Sequence, residues 1–286
     1  MISLKSTYDK TIQSIKSKPV LFVPFAIFAA FELVILIIVY LAPRMPLKLL
    51  FGPPIKALWG EKFLHYPINF VLIPKLVSLA RVGLTVILGS LLTGVATLLV
   101  YNLYKKNKVN LKTVFKAALK KYVALFAVVL LFTLLFYFMD IITSKLLIKY
   151  FTSGHSKLLF LGPKIWFGPI LVTLNFMLAI IVQSAFIYAI PFLLIGGETL
   201  TKSVLKSFVL FKKHFFKTII LVGLPMLLYI PTIILQANSA YLVVRLFPEV
   251  VVWVSILSLL VNSLIIDLLI TLSTTHLYLL HKDEKS

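Results

Sequence analysis

Six stretches of the chain, 20–42, 77–103, 122–144, 165–195, 215–236 and 250–280, are almost free of charge and rich in Leu, Ile, Val and Phe. A helix rising about 1.5 Å per residue needs about 20 residues to cross bilayer hydrocarbon, so each stretch is long enough to span. The composition closes off the soluble alternative. Of 286 residues 60% are hydrophobic and 13% charged, with a mean hydropathy of +1.05, whereas soluble chains are nearer half apolar and about a quarter charged. The expected fold class is an all-α integral membrane protein with six transmembrane helices in a single membrane domain, 1–286. The first run, Val20 to Ala42, is longer than the roughly 7–15 apolar residues of a signal peptide, and Pro43 follows its only cleavable position, so it reads as a retained span. Pro191 and Pro225 lie inside spans and predict kinks.

The formal charge is +20, and the basic residues flank the apolar runs. Lys and Arg number four in 1–18, seven in 105–121, five in 202–217 and two in the tail, against five in 44–75, four in 145–164 and Arg245 on the other side. That excess predicts both termini in the cytoplasm of a plasma-membrane protein. Lysines so placed meet anionic lipid headgroups, and no stacking aromatics are arranged around them for nucleic acid. The chain has no cysteine, which removes disulfides and thiolate chemistry.

Two stretches repeat a basic helix running into a span. In the first, Leu111, Val114, Phe115, Ala118, Leu119 and Tyr122 keep helical rhythm opposite Lys112, Lys116 and Lys120, and Lys121 follows. In the second, Leu200, Val204, Phe208, Phe211 and Phe215 form the stripe, with Lys202, Lys206, Lys212 and Lys213 supplying charge. A fainter copy, Leu4, Tyr8, Ile12 and Ile15, opens the chain. Such amphipathic helices are expected in the headgroup plane. The chain then reads as three similar units, 1–104, 105–197 and 198–286, each an interfacial helix followed by a helical hairpin. The shared pattern arises either from duplication or from the general basic character of inward loops. The outer loop 43–75 carries Ile55, Leu58, Trp59 and Phe63 as a stripe, which predicts a short helix lying on the outer leaflet.

No HExxH helix, GxSxG elbow or phosphate-binding glycine loop occurs, so no catalytic residue, metal site or cofactor is expected. The segment TSGHSK, Thr152 to Lys157, resembles one element of membrane lipid phosphatases, but the partner motifs are missing and a polar turn is the expectation. His65, His155, His214, His276 and His281 are scattered, with His276 and His281 expected on different helix faces.

Polar groups at membrane depth carry more information. Glu32 and Asp267 lie near the middle of the first and sixth spans, where a charge costs about 2.5–3.5 kcal/mol, so each should be protonated, paired or facing a wet interior. Asn175 and Gln183 add amides in the fourth span. Asn262 is expected on a different side from Asp267, and Arg81, about a turn inside the second span, is expected to snorkel outward. These groups serve either a proton or substrate path or interhelical hydrogen bonds that specify packing.

The run AIPFLLIGGETLTKSVLKSFVLFKKHFFKTI, Ala189 to Ile219, places Pro191 late in a span, then Gly197-Glu198, Ser207 in the amphipathic helix, and lysines before the next span. It resembles a pattern in a broad group of six-span prokaryotic membrane proteins that includes the membrane domain attached to some glycerophosphodiester phosphodiesterases. The resemblance implies a lipid-associated helical module without a catalytic motif. The hydrolase barrel joined to such modules has no counterpart here, since no soluble segment is long enough to hold one. The functional expectation is a non-enzymatic accessory or scaffold protein that contacts lipids or a membrane protein partner. The alternative is a small-solute, ion or lipid transporter using Glu32 and Asp267, which requires a hydrated path to those acids.

Overall fold

The computed structural model describes residues 4–107, 110–152 and 163–284. All regular structure among them is helical. In chain order the helices are α1 (Leu4–Ser17), α2 (Pro19–Leu41), α3 (Leu47–Trp59), α4 (Asn69–Tyr104), α5 (Leu111–Lys120), α6 (Tyr122–Thr152) and α7 (Pro163–Phe186). They continue as α8 (Ala189–Leu194), α9 (Leu200–Lys213), α10 (Phe215–Leu227), α11 (Ile230–Ala237), α12 (Ser239–Arg245) and α13 (Val250–Asp283).

Five helical segments among the described residues are long and apolar enough to cross a membrane: Pro19–Leu41, Asn69–Tyr104, Tyr122–Leu146, Ile170–Leu194 and Val250–Asp283. The pair α10 and α11 makes a sixth if it is one broken span; it bends by 49°. Pro225 near the end of α10 and Pro231 at the start of α11 remove two backbone donors around the bend. The chain is thus a multi-pass helical membrane protein.

Two helices depart from their expected limits. The second span begins at Asn69 and runs 36 residues, so the last part of the stretch read as outer loop, 69–75, belongs to the span helix, with Pro74 inside it. In the remaining loop α3 forms as expected, but its stripe is split. Ile55 is buried against Ala42 and Leu72, with Trp59 and Phe63 beside them, while Leu58 is exposed. TSGHSK from residue 153 on, including His155, lies outside the described residues.

The spans pack through small residues. A Cβ on Gly94 would come within 2.7 Å of Leu125 Cδ1, and one on Gly89 within 3.2 Å of the Phe28 ring, so these glycines let α6 and α2 approach α4 closely. The main core joins Leu21, Leu99, Tyr188, Leu221 and Leu272 near the lysine-bearing end of the bundle. Large apolar side chains such as Ile37, Leu79, Val123 and Phe216 remain outward, as suits helices surrounded by lipid tails.

The three short basic helices sit on the bundle in a common manner. Helix α1 packs on α13, α5 on α4, and α9 on α7 and α8. In each, two residues four apart are buried, with a leucine three positions before the first of them: Thr7 and Thr11, Val114 and Ala118, Ser203 and Ser207, joined in α9 by Leu210. The apolar stripes are divided between core and exterior. Val114 and Ala118 are buried, and Leu4, Tyr8, Ile15, Val204 and Phe211 pack against core side chains, while Ile12, Phe115, Leu119 and Phe208 are exposed. In a bilayer the exterior also accepts apolar side chains, and small residues beside the stripe permit close packing.

Candidate functional site

Arg81 on α4 lies about 18 Å along its helix from Asn69, at about 1.5 Å per residue. That depth overturns the expected outward snorkelling: the helix starts earlier than the hydropathy alone indicates, and the guanidinium turns inward. Its Nε lies 2.7 Å from Glu32 Oε1 on α2. Its Nη2 donates to Asp267 Oδ2 on α13 at 3.4 Å. Ser263 Oγ donates to the second Glu32 oxygen. With its amide oxygen turned toward the guanidinium, Asn262 accepts from Arg81 Nη2 at 3.0 Å.

Local backbone makes this convergence possible. Two π-helical turns interrupt the long helices beside the cluster, Thr85–Gly89 in α4 and Val261–Ile266 in α13. A π turn closes i→i+5 and recurs at functional sites. It brings Asn262 and Asp267 to one partner, correcting the expectation, based on regular α-helix, that they face different sides. Glu32 is closed off, with 1% of its side chain exposed, whereas the Asp267 side chain is 36% exposed.

Asp267 borders a partly open cavity of about 150 Å³ lined by α2, α4, α6, α7, α8 and α13. Its wall is mostly apolar, and Thr85, Thr93, Gln183 and Thr271 provide the other polar groups. Gln183 therefore joins the same region as Asp267. Asn175 does not: it donates to Asp140 Oδ1 at 2.5 Å between α6 and α7. Asp140 is a further acid inside a span that sequence reasoning missed, although an aspartate in an apolar run is itself the signal.

At the lysine-bearing end, Lys112, Lys116, Lys120, Lys121, Lys202, Lys212 and Lys213 are exposed. Lys206 is partly occupied by an ion pair to Glu198, and the hydrogen bond from Lys206 holds the Glu198 carboxyl below the usual range. Gly197, at φ 67°, makes the left-handed turn before it.

Three of the histidines make two contacts. His276 Nε2 lies 3.2 Å from Ser14 Oγ, and His214 Nε2 lies 3.4 Å from His281 Nδ1. Burial, with Lys217 and Lys213 nearby, holds His214 below the ordinary imidazole range. Among the described residues no three His, Asp or Glu side chains are placed to hold a metal ion.

The arrangement can lock three helices through charge and hydrogen bonds, and it can present one carboxylate to a small apolar chamber. Fold and site together define a helical multi-pass membrane protein with an intramembrane ion cluster. Comparisons with protein-family models, curated proteins and solved structures find no match.

Proposed function

We propose that this is a non-enzymatic membrane protein of accessory or scaffold type, acting through anionic lipid headgroups and membrane protein partners. The observation that carries the reading is the common seating of α1, α5 and α9, which buries a pair of residues four apart in each while leaving lysines outward. It also supports three similar units in cyclic order. Each basic helix packs on the second span of the preceding hairpin, with α1 on α13 closing the ring. On this reading the basic helices and both termini face the cytoplasm of the plasma membrane, and the chain is akin to the six-span group that Ala189–Ile219 resembles.

Near an anionic leaflet each lysine contributes about 1 kcal/mol. Replacing Lys112, Lys116 and Lys120 together by glutamine should therefore strip phosphatidylglycerol from the purified full-length chain, counted by native mass spectrometry from mixed micelles. Unchanged lipid retention would remove the headgroup role. Orientation has a separate check. Single cysteines at the exposed positions Lys116 and Lys202 should resist an impermeant thiol reagent in intact cells and react after permeabilisation. Labelling of both from outside would reverse the topology.

A second reading, transport of a small solute, ion or lipid, draws on one observation: Asp267 opens onto the cavity while Glu32 does not. A carboxylate at that depth needs a counter-charge or a proton. The cavity is where either would arrive.

A further inference from the structure

The ion cluster is not balanced. Two carboxylates, Glu32 and Asp267, share one guanidinium. Glu32 takes the shorter contact, at 2.7 Å, and the Ser263 hydroxyl as well. Asp267 keeps the longer contact, at 3.4 Å through one oxygen, and the larger exposure. One formal negative charge is thus left over, and it sits on the side chain that borders the cavity.

The cavity wall restricts what can answer that charge. Four phenyl rings line it, from Phe25 and Phe28 on α2, Phe132 on α6 and Phe186 on α7. Ring faces attract cations, organic ammonium ions above all. A bare inorganic ion fits poorly, because hard cations take about 6–8 oxygen ligands and beyond Asp267 the wall offers only the Gln183 amide and a few threonine hydroxyls. The Gln183 side chain makes no hydrogen bond within the described residues and remains available to a guest. A cavity of about 150 Å³ matches one that holds a single benzene ring.

We propose that this cavity is a binding site for a small lipophilic ammonium ion, its charge beside Asp267 and its apolar groups against the four phenyl rings. The assignment deepens the transport reading, but it concerns equilibrium occupancy. Failure of solute flux and failure of the site are therefore separate results.

The cavity also lies toward the basic helices. Its wall includes Pro24 on α2, five residues from Pro19, and Ile190 on α8, four residues from Leu194. An ammonium group reaches it either from a lipid headgroup or as a free amine.

The test uses radiolabelled tetramethylammonium, whose charge is fixed and whose size is close to that of benzene, and the full-length protein in nanodiscs of phosphatidylglycerol alone, with empty nanodiscs as the blank. Saturable binding of one cation per chain is expected, weakened at least tenfold by Asp267→Asn and severalfold by Phe132→Leu. Because Asp267→Asn can disturb the cluster, wild type also carries the decision. Absence of saturable binding above the blank overturns the proposal, as does undiminished binding to a folded Asp267→Asn protein. Adding phosphatidylethanolamine to the nanodiscs then distinguishes the sources. Loss of probe affinity assigns the resident ammonium to a lipid headgroup, and unchanged affinity assigns it to a free amine.

Discussion

Arg81→Met should destabilise the folded protein by about 3–5 kcal/mol, the cost of stripping the partner from a buried charge pair. The substitution keeps a long apolar stem but leaves Glu32, with only 1% of its side chain exposed, facing Asp267 without a cation. Ser263 cannot compensate, since one hydroxyl supplies a single hydrogen bond to Glu32. The loss should appear as a lowered midpoint of thermal unfolding in detergent. Glu32→Gln or Asp267→Asn alone should cost far less, because each removes a charge from the crowded side of the cluster and keeps its shape. A fully neutral combination of the three substitutions should recover most of the stability, as apolar or neutral replacements of buried ion pairs often do.

The second large effect is expected at the seats of the basic helices. Ser207 is fully buried and its Oγ donates to the Ala185 carbonyl at 2.6 Å. Leucine there overpacks the contact, at about 1–3 kcal/mol, and abandons a hydrogen bond worth about 1 kcal/mol. If the three units are built alike, Thr11→Leu and Ala118→Leu should also destabilise, because both positions are fully buried as the second of the paired seat residues of their helices. Val209→Leu, at an exposed site on α9, should leave unfolding unchanged. Unfolding midpoints for the four variants decide the matter: an effect at Ser207 alone would separate α9 from the other two helices.

Much of this architecture is legible in the residue order, and the failures have physical causes. Apolar runs reveal spans because burial in hydrocarbon needs only length and composition. Glu32 and Asp267 stand out for the same reason, as rare charges in such runs. Arg81 misleads because its depth depends on where its helix begins. Helix extends to Asn69, through a segment whose proline and lysine read as loop. Asn262 misleads because a regular 3.6-residue period carries it away from Asp267, and nothing in VNSLII announces the π turn. The apolar stripes of the basic helices are legible in part. Val114, Ala118, Leu4, Tyr8 and Val204 pack on the bundle as the helical rhythm indicates, whereas at a membrane Ile12, Phe115 and Phe208 stay outward, and Thr7 and Ser203 share the packing.

The central claim is that Glu32, Arg81 and Asp267 form one electrostatic unit at the heart of the bundle. A double-mutant cycle on unfolding free energy in mixed micelles tests it most directly, using Arg81→Met and Glu32→Gln singly and together. Contacting charges should couple by about 0.5–3 kcal/mol, and the buried 2.7 Å contact places this pair toward the upper end. Glu32→Gln should therefore raise stability in the Arg81→Met background while costing little or lowering it in wild type. Equal effects of Glu32→Gln in both backgrounds would mean that the two residues do not interact, and would contradict the account.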